Sequence, residues 1–79
     1  MDEVEAGTKK LHELVKGLDP DVQVVVPVRP TNSLFLISLT KGANRRFVTV
    51  SEDDLIDLPN ESEIQSKVTQ MIKEALAGL

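Results

Sequence analysis

Apolar residues recur along residues 2–17 at Val4, Leu11, Leu14, Val15 and, just beyond, Leu18. That spacing gathers them on one side of a helix. Asp2, Glu3 and Glu5 fall in its first turn, where the helix dipole favours carboxylates. The run "KGLDP" predicts the stop. Gly17 suits the left-handed position after a helix, Leu18 can close back on the last turn, and Pro20 blocks continuation.

The pattern then changes to β-branched and apolar runs, "DVQVVVPVR", "SLFLISLT" and "RRFVTVS", linked by the turn formers of "PTNS" and "KGAN". This predicts a three-stranded antiparallel meander. Pro27 cannot donate to a ladder and belongs in an edge strand, which the first strand of a meander is. With Gly42 and Ala43 at the second hairpin tip, Leu39 faces Arg46, Ile37 faces Val48 and Phe35 faces Val50. With Thr31 and Asn32 at the first, Val28 faces Phe35, Val26 faces Ile37 and Val24 faces Leu39. All these residues share one face with Arg46 at its margin, because side chains alternate along a strand. That face is the expected core, and the helices must cover it.

After the sheet, Ser51 can cap a short helix from Glu52, with Asp54 placed for the reciprocal contact, and "LP" at 58 and 59 ends it. Asn60 and Glu63 repeat the capping pattern before a last helix with a broad apolar stripe: Ile64, Val68, Met71, Ile72, Ala75, Leu76 and Leu79. The expected fold is α+β: one small domain over residues 1–79, in two layers. A three-stranded antiparallel meander carries the N- and C-terminal helices on one face, in the order α-β-β-β-(short α)-α.

Composition narrows the chemistry. The chain has 79 residues, 41% of them hydrophobic and 28% charged, which suits one folded core and leaves no room for a second domain. Cysteine is absent, so disulfides and thiolate zinc sites are excluded, and self-association is the remaining usual support for so small a domain. The acidic start "MDEVEAGTKK" lacks the basic and apolar regions of a secretory signal, and the apolar run "LFLI" is far too short to span a membrane. A soluble cytoplasmic protein is expected, with no membrane partner and no cofactor. The net charge of −4 conceals a reversal: residues 22–50 hold Arg29, Lys41, Arg45 and Arg46 without an acid, and residues 51–63 hold six acids without a base.

The acids Glu52, Asp53, Asp54 and Asp57 do not have the spacing of a calcium loop and read as first-turn residues opposing a helix dipole. Arg45 and Arg46 are adjacent in a strand and point to opposite faces. Arg46 is expected to lay its stem over the helices and pair with an acid of residues 51–63. Phe35 and Phe47 also fall on opposite faces, which leaves one ring where a stacking platform for single-stranded nucleic acid needs several. His12 is the single histidine and stands beside the apolar stripe of the first helix, a position that reads as exposed surface. No glycine-rich phosphate loop and no paired His-carboxylate motif is present, so a non-enzymatic protein is expected.

The order helix, three strands, helix resembles that of double-stranded RNA-binding domains and of HicA-type toxin nucleases. "RRFVTV", followed by "LP" and an apolar last helix, is similar in layout to the latter. The resemblance covers most of the chain as an order of elements only. Double-stranded RNA-binding domains open their last helix with a lysine cluster, where this chain reads "NESEIQSK"; HicA-type nucleases carry a histidine on the second strand, and "SLFLISLT" holds none. The resemblance therefore implies a layout and neither a site nor an activity.

The second sheet face is the remaining candidate. Val25, Pro27, Leu34, Leu36 and Phe47 cluster there among polar and basic neighbours, the composition of a protein interface. The expected function is a small non-catalytic interaction module with self or another protein as its partner, and the preferred form is a homodimer joined through this outer sheet face or an edge strand. The alternative is weak nucleic-acid binding by the basic hairpin end, through Lys41, Arg45 and Arg46.

Overall fold

A computed structural model describes residues 3–79, so Met1 and the expected first-turn Asp2 lie outside the described residues. Helix α1 spans Glu3–Leu18, strands β1, β2 and β3 span Gln23–Val25, Leu34–Lys41 and Asn44–Ser51, and helices α2 and α3 span Glu52–Asp57 and Ser62–Ala77. The strands form one antiparallel sheet in the order β1-β2-β3. The expected α+β meander is the fold.

One apolar core joins the inner sheet face to all three helices. Phe35, Ile37 and Leu39 of β2 and Val48 and Val50 of β3 are buried with Leu11 and Val15 of α1, Leu55 of α2, and Val68 and Ile72 of α3. Each such side chain removed from water contributes about 1.5–3 kcal/mol, so this cluster dominates the stability of a chain without covalent staples. Val4, Leu14 and Leu18 on α1, and Ile64, Met71, Ala75, Leu76 and Leu79 on or just after α3, pack around it half-buried. Both predicted stripes therefore face the sheet. Among the described residues no polar or charged side chain is buried.

The second hairpin has the expected register, with Leu39 opposite Arg46, Ile37 opposite Val48 and Phe35 opposite Val50. Its tip is Gly42-Ala43, where Gly42 takes φ +59° and Ala43 does not enter the positive region, the pattern of a type II′ turn with glycine first. The first hairpin departs from expectation. Its tip is Asn32-Ser33, with φ 52° and 63°, closed by reciprocal backbone bonds of 2.9 and 3.0 Å between Thr31 and Leu34. Two successive positive φ values make this a type I′ turn.

Beyond that tip the ladder lapses until Val25, leaving residues 26–30 opposite residues 35–37. Pro27 and Pro30 lie in the excess and cannot donate to β2, so the chain bulges there. The expected pairs of Val26 with Ile37 and Val28 with Phe35 do not form, and Val28, expected in the core, is 93% exposed. The surplus on the outer strand is two residues, an even number. Parity is therefore kept, and Val24 still lies opposite Leu39 on the core face.

Two helix ends depart from the expectations and one matches them. Gly17 lies within α1 and does not take positive φ; the helix runs one residue further and stops before Pro20. Ser51 caps α2 as expected, its Oγ accepting from the Asp54 N–H at 3.2 Å. α3 begins after Glu61 rather than Asn60 and has no side-chain cap. Asn60 instead helps close the end of α2, its N–H donating to the Asp57 carbonyl at 3.0 Å. Gln65 then donates its side-chain amide to the Leu58 carbonyl at 2.9 Å and to that of Pro59 at 3.3 Å, tying the end of α2 to the start of α3.

Candidate interface on the outer sheet face

Among the described residues, all three helices contribute to the core on the inner face and none covers the other side of the sheet. Side-chain alternation places Gln23, Thr40 and Arg45 in one cross-strand row of the outer face, and Val25, Ser38 and Phe47 in the next. Leu36 opposite Thr49, then Leu34 opposite Ser51, complete it. Val25 is 60% exposed, Leu36 and Phe47 54% each, and Leu34 46%. Adjacent strands lie about 4.8 Å apart, so Val25 and Phe47 flank Ser38 while Leu36 stands diagonal to both. The four apolar side chains form one patch at the centre of the face. Pro27, the fifth residue expected here, is half-buried in the bulge beyond the end of β1.

The three bases of the hairpin end are not brought together. Lys41 Nζ donates to Asp19 Oδ2 at 2.8 Å, in a contact with the loop after α1 that sequence spacing did not suggest. Hydrogen bonding to Lys41, and then to the Asp21 N–H at 3.0 Å, holds the Asp19 carboxyl below its usual value, and the same bond to Asp19 raises Lys41. Arg45 is exposed on the outer face. Arg46 stands on the helix side, and its guanidinium donates from Nε and Nη2 to the Gly78 carbonyl at 3.4 and 3.3 Å. No acid of residues 51–63 takes that bond, contrary to expectation, because the end of α3 lies closer.

The acids after the sheet have structural work. Asp54 is at the start of α2 and accepts from Lys67 of α3 at 2.9 Å. Among the described residues no group of three or more His, Asp or Glu side chains is placed to hold a metal ion. His12 is exposed on α1, near Lys9, Glu13 and Lys16. Among the described residues no helix is long and apolar enough to cross a membrane.

Gly7, like Asp19, escaped the sequence reading. Gly7 is buried on α1 at its crossing with α2, where an added methyl group would overlap the carbonyl of Leu55. Its signal was present: a small residue interrupting the apolar stripe between Val4 and Leu11 marks a close helix approach. In comparisons with protein families, with curated proteins and with solved structures, nothing matches this chain.

Proposed function

We propose that the chain is a non-catalytic interaction module whose outer sheet face is its contact surface, and that the partner at this face is a second copy of the chain. The observation carrying this reading is the contiguous patch of Val25, Leu34, Leu36 and Phe47, each 46% or more exposed, on a sheet whose other face is buried. A small domain gains core by covering such a face with its own copy, since an isologous contact sets the same apolar side chains against each other. Phe47, the largest side chain on the patch, is the expected anchor, as aromatic residues carry a large share of interface energy. The polar and basic rim, from Gln23 to Arg45, keeps the separated chain soluble. Splitting of the three bases, one of them tied to Asp19, favours this reading over nucleic-acid binding.

Sedimentation equilibrium over a wide concentration range, at low and high salt, tests it. The expected result is a mass that rises with concentration and persists at high salt, as apolar association does. Leu36→Glu, a charge placed on the central strand of the patch, lowers the mass reached at high concentration. An unchanged mass in this variant, with the fold intact by circular dichroism, would sink the outer-face contact.

A further inference from the structure

The two edges of the sheet differ. β1 is three residues long and gives way to a bulge with Pro27 and Pro30, devices that blunt an edge against pairing. β3 is eight residues long, contains no proline, and among the described residues no further strand flanks it. The pair Lys41 and Asn44 closes a two-residue turn and is hydrogen-bonded, so by ladder alternation Arg46, Val48 and Val50 bond to β2. The backbone N–H and C=O groups of Arg45, Phe47 and Thr49 point outward along the free edge. We propose that this edge pairs with the same edge of a second copy, about a two-fold axis through Phe47, joining two three-stranded sheets into one of six strands.

Charge and ring pairing together set the register: a centre at Val48 also avoids like charges but sets Phe47 against Thr49, whereas a centre at Phe47 pairs the two rings. Only pairings that set Arg45, Phe47 and Thr49 against one another use the outward backbone groups. A pairing centred on Arg45 or Arg46 sets like charges face to face, which is unfavourable. Centring on Phe47 sets its ring beside the partner's ring, Arg45 beside a threonine and Arg46 beside a valine, and uses nearly all of β3.

The helices permit this approach and add a contact. α3 begins beyond the far end of β3, after α2, and ends with the Gly78 carbonyl at Arg46, so it runs antiparallel to β3. Under the two-fold axis the two copies of α3 therefore extend in opposite directions and meet only at their last turns. There the groove beside β3 is lined by Met71, Ala75 and Gly78, with Glu74 at its rim. Glu74 lies one helical turn before Gly78, about 6 Å along β3, which sets it level with Val48. The residue across from Val48 is the second copy's Arg46. Each Glu74 thus meets an arginine whose bonds within its own chain, at 3.3 and 3.4 Å, are long and readily exchanged.

This contact uses backbone groups, whereas the outer-face contact uses side chains, so a substitution can remove either one and leave the other in place. It is tested by amide hydrogen exchange at low and high protein concentration, together with sedimentation. The amides of Arg45, Phe47 and Thr49 are expected to be protected at high concentration and to exchange freely on dilution. Thr49→Pro removes one outward N–H without breaking a bond to β2 and is expected to abolish that protection, whereas Leu36→Glu leaves it in place. Glu74→Arg is expected to weaken the pairing about tenfold and the double exchange Arg46→Glu with Glu74→Arg to restore it. If those three amides exchange freely at every concentration, or if folded Thr49→Pro associates as the parent chain does, the edge contact is overturned. Should Thr49→Pro fail to fold, the Glu74 variants decide: no weakening, or no rescue by the exchange, overturns it equally.

Discussion

Ser33 holds φ 63°, a left-handed backbone that a side chain with a Cβ enters at a cost of about 1–2 kcal/mol. It is kept there by its neighbours: Thr31 and Leu34 exchange both backbone bonds across the turn, and the Ser33 carbonyl accepts from the Glu52 N–H at 2.8 Å, linking the hairpin tip to the start of α2. Asparagine tolerates this conformation at position 32, and glycine is the residue that best follows it in a type I′ turn. Ser33→Gly keeps every one of those bonds and removes the Cβ penalty. Against that, it adds freedom to the unfolded chain. A net gain of about 0.5 kcal/mol is expected, read as a higher urea midpoint with an unchanged slope. A lower midpoint would show that the serine side chain, and not the backbone, holds the turn. The misplacement of this tip by one position in the sequence reading has the same origin. "PTNS" contains no glycine to mark which residues take positive φ, and Asn32 fits either placement.

At the level of elements, legibility depended on whether the determining contact was local. The two long helices, the hairpin tip at Gly42-Ala43 and the Ser51 cap are written in adjacent residues, and each was readable. The faces of the sheet were readable because parity survives a surplus of two residues, so Val25, Leu34, Leu36 and Phe47 were correctly set on the side away from the core. Val28 was not readable, since its β-branched side chain satisfies the pattern of a strand while the flanking prolines remove the ladder that would hold it. Contacts between distant residues were hidden as well: Lys41 with Asp19, Arg46 with Gly78, and Gly7 against Leu55. The last gives a sharp test. α1 and α2 approach at Gly7 until a methyl group would meet the Leu55 backbone, which unlike a long side chain cannot swing aside. Helix propensity alone would favour alanine by about 1 kcal/mol. Overpacking opposes this by about 1–3 kcal/mol, and steric overlap with backbone belongs at the upper end. Gly7→Ala is therefore expected to lower stability by about 2 kcal/mol, measured by denaturant unfolding. A stabilised variant would mean that α1 can move away from α2 without disturbing Leu11 and Val15.

For the whole molecule, the question is how the two proposed contacts combine. A two-fold axis for the edge contact stands perpendicular to the sheet and keeps both outer faces on the same side. A two-fold axis for the face contact lies parallel to the sheet, between two opposed patches. With the face axis passing beneath Phe47, the two axes intersect at right angles and close on themselves, giving four copies with all contacts satisfied; axes that missed each other would build an open filament instead. The edge contact also brings the two Phe47 rings together at the centre of the joined sheet, so it enlarges the patch that the face contact buries. Each contact then strengthens the other, and partial assemblies are poorly populated near the transition. The expected outcome is a parent chain that passes from one copy to four as concentration rises. Leu36→Glu stops at a dimer held by β3, Thr49→Pro stops at a dimer held by the outer face, and the double variant stays monomeric, all read by sedimentation equilibrium. Only the β3-held dimer should depend noticeably on salt, because Arg46 and Glu74 are charged and the apolar patch is not. Tetramers in either single variant would show that the two contacts do not divide the assembly in this way.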